Sequence, residues 1–161
     1  MKTTVLLIAL TITGIASASA ADDVALQRMA LCQDSWFDWQ KSDPAKLKAF
    51  GERFRTQFQD RQNQPYFLPK SKMSVAGLRV EQAFPDSVGM GVGFSLTVDA
   101  PFDVARTTME KTLGRKLQQC EASDGMHSCA LDIADKRSFT IMAMDNEKSR
   151  TLVGCYYFYE K

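Results

Sequence analysis

The residues best equipped for chemistry lie within one ten-residue run, Cys120-Glu-Ala-Ser-Asp-Gly-Met-His-Ser-Cys129. It holds two of the four cysteines and the only histidine of the chain. Three chemistries are open to it. Two thiolates, the Met126 thioether and the His127 imidazole would make a soft-ligand set for copper or zinc. His127 could act as a general base if a nucleophile stood beside it. Or the two cysteines could join, closing a short loop that presents Asp124, Gly125, Met126 and His127.

The compartment decides among these, and the N-terminus indicates the compartment. Lys2 precedes an apolar run from Val5 to Ile15, which ends at Ala18-Ser19-Ala20. That pattern reads as a cleavable secretory signal peptide over residues 1–20, of bacterial type, with cleavage before Ala21. The run is too short to span a bilayer. The expected mature chain, residues 21–161, is one domain by length and large enough for a core. Its expected location is the periplasm or the exterior.

An even number of cysteines in an exported chain reads as disulfides. Cys120 and Cys129 flank a polar, glycine-containing stretch and can meet at small entropic cost. Three pairings of the four cysteines are possible, and the one this favours leaves Cys32 to pair with Cys155. Disulfide formation competes directly with the metal reading, and the spacing matches no zinc signature. No metal and no cofactor are expected.

Catalysis finds little support. There is no Gly-x-Ser-x-Gly elbow. Paired cysteines leave no thiol nucleophile. Carboxylates such as Asp103, Glu110 and Asp132 carry no pattern that marks an acid–base pair. The glycines Gly89, Gly91 and Gly93 alternate inside a strand pattern, with Pro101 before the next helix, and this is not a phosphate-binding loop. The reading is therefore not an enzyme.

Charge removes another class. The chain has 20 basic and 19 acidic side chains. Losing Lys2 with the signal leaves 19 against 19. Such a balance does not suit nucleic acid or an anionic membrane surface.

A closed loop that carries a histidine resembles, as a device, that of bacterial periplasmic lysozyme inhibitors. Those proteins insert a His on a short disulfide-closed loop, above an antiparallel sheet, into the active site of their target. The likeness covers Cys120 to Cys129. The span between the cysteines is longer here, and His127 stands off-centre. The resemblance implies binding to another protein, a toxin or cell-wall hydrolase, through Asp124, Gly125, Met126 and His127. The expected function is that of a protein-binding inhibitor or immunity protein acting by occlusion. The alternatives are a small-ligand or metal-binding periplasmic carrier and an envelope structural or assembly factor.

The elements that would position this loop follow from periodicity. Ala25, Met29, Cys32, Trp36 and Trp39 recur at helical steps from Asp22 to Gln40. Ser42-Asp43-Pro44 stops that helix and starts another, with Asp43 as cap and Pro44 in the first turn. Its stripe is Leu47, Phe50, Phe54 and Phe58, while Lys46, Lys48, Arg53 and Arg55 lie largely off it. Residues 60–72 read as an irregular connector.

The period then becomes two. Ala76, Leu78 and Val80 alternate, and so do Val88, Met90, Val92, Phe94, Leu96 and Val98. A third helix runs from Pro101 to near Cys120, and the loop Glu121 to Ser128 follows. Strands around Cys129–Ile133, Phe139–Ala143 and Thr151–Tyr159 close the chain. In the last, alternate aromatics would enter the core and cover the glycine-rich strand. The expected fold is α+β: two N-terminal helices, then a five-stranded antiparallel sheet with one inserted helix (ααββαβββ), stapled by disulfides.

Overall fold

The computed structural model describes residues 23–157, apart from 86, 89, 90 and 135. The expected signal segment, Met90, Phe158 and Tyr159 lie outside the described residues. The helices are α1 (Val24–Ala30), α2 (Trp36–Ser42), α3 (Pro44–Gln57) and α4 (Phe102–Leu113). The strands begin with β1 (Phe58–Asp60), β2 (Phe67–Pro69), β3 (Ser74–Val75), β4 (Leu78–Phe84) and β5 (Ser87–Val88). They continue with β6 (Gly91–Asp99), β7 (Gln119–Ser123), β8 (Met126–Ala134), β9 (Arg137–Met144) and β10 (Arg150–Tyr157).

The α+β class holds, but the element count is larger than the sequence suggested. The five expected strands are β4, β6, β8, β9 and β10. They form the centre of an antiparallel sheet in the order β1-β2-β4-β6-β10-β9-β8-β7. The two-residue strands β3 and β5 attach to β4 and β6. The supposed connector, residues 60–72, contributes β2 and the last residue of β1, and Phe58, Gln59 and Asp60 pair with Pro69, Leu68 and Phe67. Phe58, assigned to a helical stripe, therefore opens a strand. It still stacks on Phe54, with ring centres 4.4 Å apart. The expected strand start at Ala76 is instead a turn. Ala76 and Gly77 both have positive φ, 49° and 78°, as the tight link between β3 and β4 requires.

The expected long first helix is two short ones. Asp23 caps α1, its Oδ1 accepting from the amides of Ala25 and Leu26. The helix ends because Cys32 adopts a left-handed backbone, φ 59°, which a continuing α-helix cannot hold. The amides of Gln33 and Asp34 both return to the Arg28 carbonyl. Ser35 then caps α2 through the amide of Asp38, 2.9 Å. Asp43 and Pro44 start α3 as expected, with Asp43 Oδ1 accepting from Lys46 N at 3.0 Å.

The third expected helix stops at Leu113 instead of near Cys120. Gly114, at φ 66°, closes it by donating to the carbonyls of Glu110 and Lys111. Beyond it Leu117 remains buried, and its amide donates to Glu110 Oε1.

The core lies between the helices and one face of the sheet. Register places Phe94, Leu96 and Val98 beside Cys155, Val153 and Thr151. Phe139 and Ile141 continue the same rows, followed by Leu131 and Cys129. All of these are buried, and all but Thr151 share a cluster with Leu26 and Met29 of α1 and Ala105 and Met109 of α4. On the reverse face Tyr156 is buried against Gly93. A Cβ at Gly93 would stand 3.0 Å from the Tyr156 ring and 2.3 Å from the Cys155 carbonyl oxygen. Tyr157 points the other way into the core and meets Phe37 with ring centres 5.2 Å apart. The alternation of covering and core aromatics is thus present over these two residues.

Candidate functional site

Both disulfides take the expected partners. Cys32 joins Cys155 and Cys120 joins Cys129, with Cα–Cα distances of 5.0 and 4.0 Å. Joined sulfurs offer no thiolate, so the Cys-based metal set is not available in this oxidised form.

The segment between Cys120 and Cys129 is not the open loop that the sequence suggested. It is a β-hairpin, β7 and β8, in which the two cysteines are directly opposed. Asp124 and Gly125 are the two-residue turn, both at positive φ, 52° and 77°. Asp-Gly between two extended runs is a strong hairpin signal, and it was present in the sequence. The disulfide ties the strands four positions from the turn. β7 stands at the end of the sheet order, and all five of its residues are exposed.

Because β8 is a strand, Met126 and His127 point to opposite faces. His127 shares a face with Cys129 and lies opposite Ala122 on one side and Ala143 on the other. Its ring is 5.8 Å from that of Phe102 at the start of α4. His127 Nε2 stands 2.9 Å from Asp145 Oδ1, both side chains being about half exposed (51 % and 57 %). At that exposure the contact orients the imidazole more than it stabilises the fold. The Asp145 amide also donates to the Gly125 carbonyl at 2.8 Å. The turn after β9 therefore braces the hairpin tip.

On this side the hairpin and α4 enclose a cleft of about 420 Å3, lined by Phe102, Arg106, Glu121, His127 and the Cys120–Cys129 pair among others. On the reverse side Met126 pairs with Met144, and both line a shallow hollow of about 230 Å3 with Met142 and Leu152. Met144 is 48 % exposed.

The four expected contact residues thus occupy one hairpin end without forming one surface. Asp124 and Gly125 are at its tip, His127 faces the polar cleft and Met126 the methionine hollow. Phe102, Arg106, Asp145, Met142 and Met144 complete the two sides. Nothing local in the chain marked them, because only the packing of α4 and the pairing of β8 with β9 bring them to the hairpin. Two of the carboxylates without a sequence pattern have structural partners: Arg106, Lys116 and the Leu117 amide surround Glu110, and Asp132 accepts from Ser138, while Asp103 lines the cleft beside α4.

Among the described residues no helix is long and apolar enough to cross a membrane. Comparison with protein-family models, with curated proteins and with solved structures finds no match to the chain in any of the three.

Proposed function

We propose that this chain is an exported, non-catalytic protein-binding module of the periplasm, an inhibitor or immunity protein that occludes a toxin or cell-wall hydrolase. The observation that carries the proposal is the disulfide-clamped β7–β8 hairpin, whose outer strand is exposed along its whole length at the end of the sheet. A clamped hairpin loses little conformational entropy on docking. An exposed sheet edge offers backbone donors and acceptors to a partner. His127, held by Asp145, supplies a polar contact on one side, and Met126 with Met144 supplies an apolar one on the other. The two disulfides and the N-terminal apolar run both suit export to an oxidising compartment.

The test uses oxidised protein to capture partners from envelope extracts, followed by a peptidoglycan hydrolysis or toxicity assay of whatever is captured. The expected result is a stoichiometric complex that blocks the captured activity. His127→Ala and Met126→Ala, made separately, should each weaken it by about tenfold if their side of the hairpin docks, as for a central interface residue. A complex that leaves the partner fully active, or that neither variant nor reduction of Cys120–Cys129 weakens, rejects the proposal.

A further inference from the structure

A separate cavity lies far from the hairpin in the sheet order, between α3 and the β1–β2 pair. Its volume is about 690 Å3, within the range of small-molecule pockets. Trp36, Leu47, Phe50, Phe54, Phe58 and Phe67 line it. Gly51, in the middle of α3, also lines it.

That glycine has no steric explanation. Gly93 and Gly154 are needed because a Cβ would meet backbone atoms of the neighbouring strand at 2.3 and 2.7 Å. Gly77, Gly114 and Gly125 have positive φ. A Cβ on Gly51 would meet only the Arg55 guanidinium, at 3.5 Å, an ordinary contact with a flexible group. Glycine inside a helix is destabilising, and here what its lack of a side chain leaves is cavity space.

The polar side chains of the pocket are Trp36, Arg55, Gln59, Asp60 and Lys70. The Trp36 indole Nε1 is buried and has no acceptor among the described residues. Arg55 and Lys70 both line the pocket; Lys70 Nζ donates to the backbone carbonyl of Arg55, while the Arg55 guanidinium lies back along the helix near Gly51. The other basic residues of α3 are engaged elsewhere: Lys46 with Asp34, Lys48 with Glu52 and Arg53 with Asp23. Arg55 makes no ion pair with a described residue, and Asp60 is the acid among the lining residues. The aromatic walls suit a hydrocarbon chain, and two cationic side chains among the lining residues suit a carboxylate head.

We infer that this cavity is a binding site for a long-chain carboxylate, a fatty acid whose chain lies along the phenylalanines and whose head meets Arg55 and Lys70. The inference is independent of the hairpin reading, since the two sites use different elements.

Delipidated protein titrated with palmitate, followed by tryptophan fluorescence and calorimetry, tests it. Saturable one-to-one binding is expected. Gly51→Leu fills the cavity and should raise the melting temperature while weakening palmitate by at least about tenfold, the effect of excluding roughly two methylenes. Gly51→Ala should stabilise the helix and cost less affinity. The Arg55→Gln and Lys70→Gln double variant should weaken palmitate by about fivefold and leave hexadecanol unchanged. No saturable binding, or binding indifferent to Gly51→Leu, overturns the site. Equal binding of acid and alcohol by the parent overturns the assignment of the carboxylate head.

Discussion

Asp23 shows how much one side chain can join. It caps α1, accepts from Gln57 Nε2 at 2.6 Å and pairs with Arg53 at 2.8 Å, so it ties the first helix to the third. Burial pushes its carboxyl up, but the bonds from Arg53, the Leu26 amide and Gln57 together hold it below the ordinary value of 3.8. Glu110 is held low as well, first by Lys116 and then by the Leu117 amide and Arg106, against its own desolvation. A carboxyl depressed in the fold stabilises it fully above the unfolded value. That stabilisation is lost as pH falls through the folded one. Denaturant melts of Asp23→Asn and its parent should therefore differ most near neutrality. The gap should close as pH drops below 3.8. Asp23→Ala, which also removes the cap, should cost about 2 kcal/mol at neutral pH. An Asn variant with the parent's acid profile would show that the ion pair contributes nothing.

The hairpin poses its question at the level of an element. Cys120 and Cys129 are nine positions apart and already opposed by backbone pairing. Loop-closure entropy for so short a span gives at most about 2–3 kcal/mol. Much of that restraint is shared with the strand pairing itself. The Cys120→Ala and Cys129→Ala double variant should therefore lose about 1–2 kcal/mol at most, with the loss concentrated locally. Amide exchange in β7 and around the turn should accelerate, while β6, β9 and β10 keep their protection. Global unfolding of that variant would mean that the hairpin is part of the core's cooperative unit. Binding of any partner should suffer more than stability, because the free hairpin would then have to be ordered on docking.

The second disulfide acts on the whole molecule. Cys32 and Cys155 lie 123 positions apart, and both are buried in the core cluster. Their bond fastens the break between α1 and α2 to a central strand of the sheet. Closure of so long a loop gives about 5 kcal/mol in the chain-entropy model, a large share of a domain's net stability. The Cys32→Ala and Cys155→Ala pair should lower the midpoint of urea unfolding for every probe together. Loss of less than about 1 kcal/mol would mean that the unfolded chain is already compact at these positions.

Sequence and tertiary structure divided the determination of this molecule unequally. Period-two alternation found β4, β6, β8, β9 and β10, because a strand half buried in a sheet must alternate along its own length. Capping chemistry found the start of α3 at Asp43 and Pro44, because the first turn of a helix needs those groups locally. The even number of cysteines and the short spacing of Cys120 and Cys129 favoured, without fixing, the one of three possible connectivities that the structure shows. The break at Cys32 was hidden, since the helical stripe runs on across it while the backbone is turned left-handed where the chain is anchored to β10. The edge strands β1 and β2 were hidden too, being only three residues each, too short for a period to register. Met126 and His127 read as neighbours on one loop. Strand pairing sent them to opposite faces and brought Asp145, Phe102 and Met144 to them from elsewhere in the chain. Local order was legible because it is set by interactions between near neighbours. The two sides of the hairpin and the cavity beneath α3 depend on contacts between distant segments, and those exist only once the chain has packed.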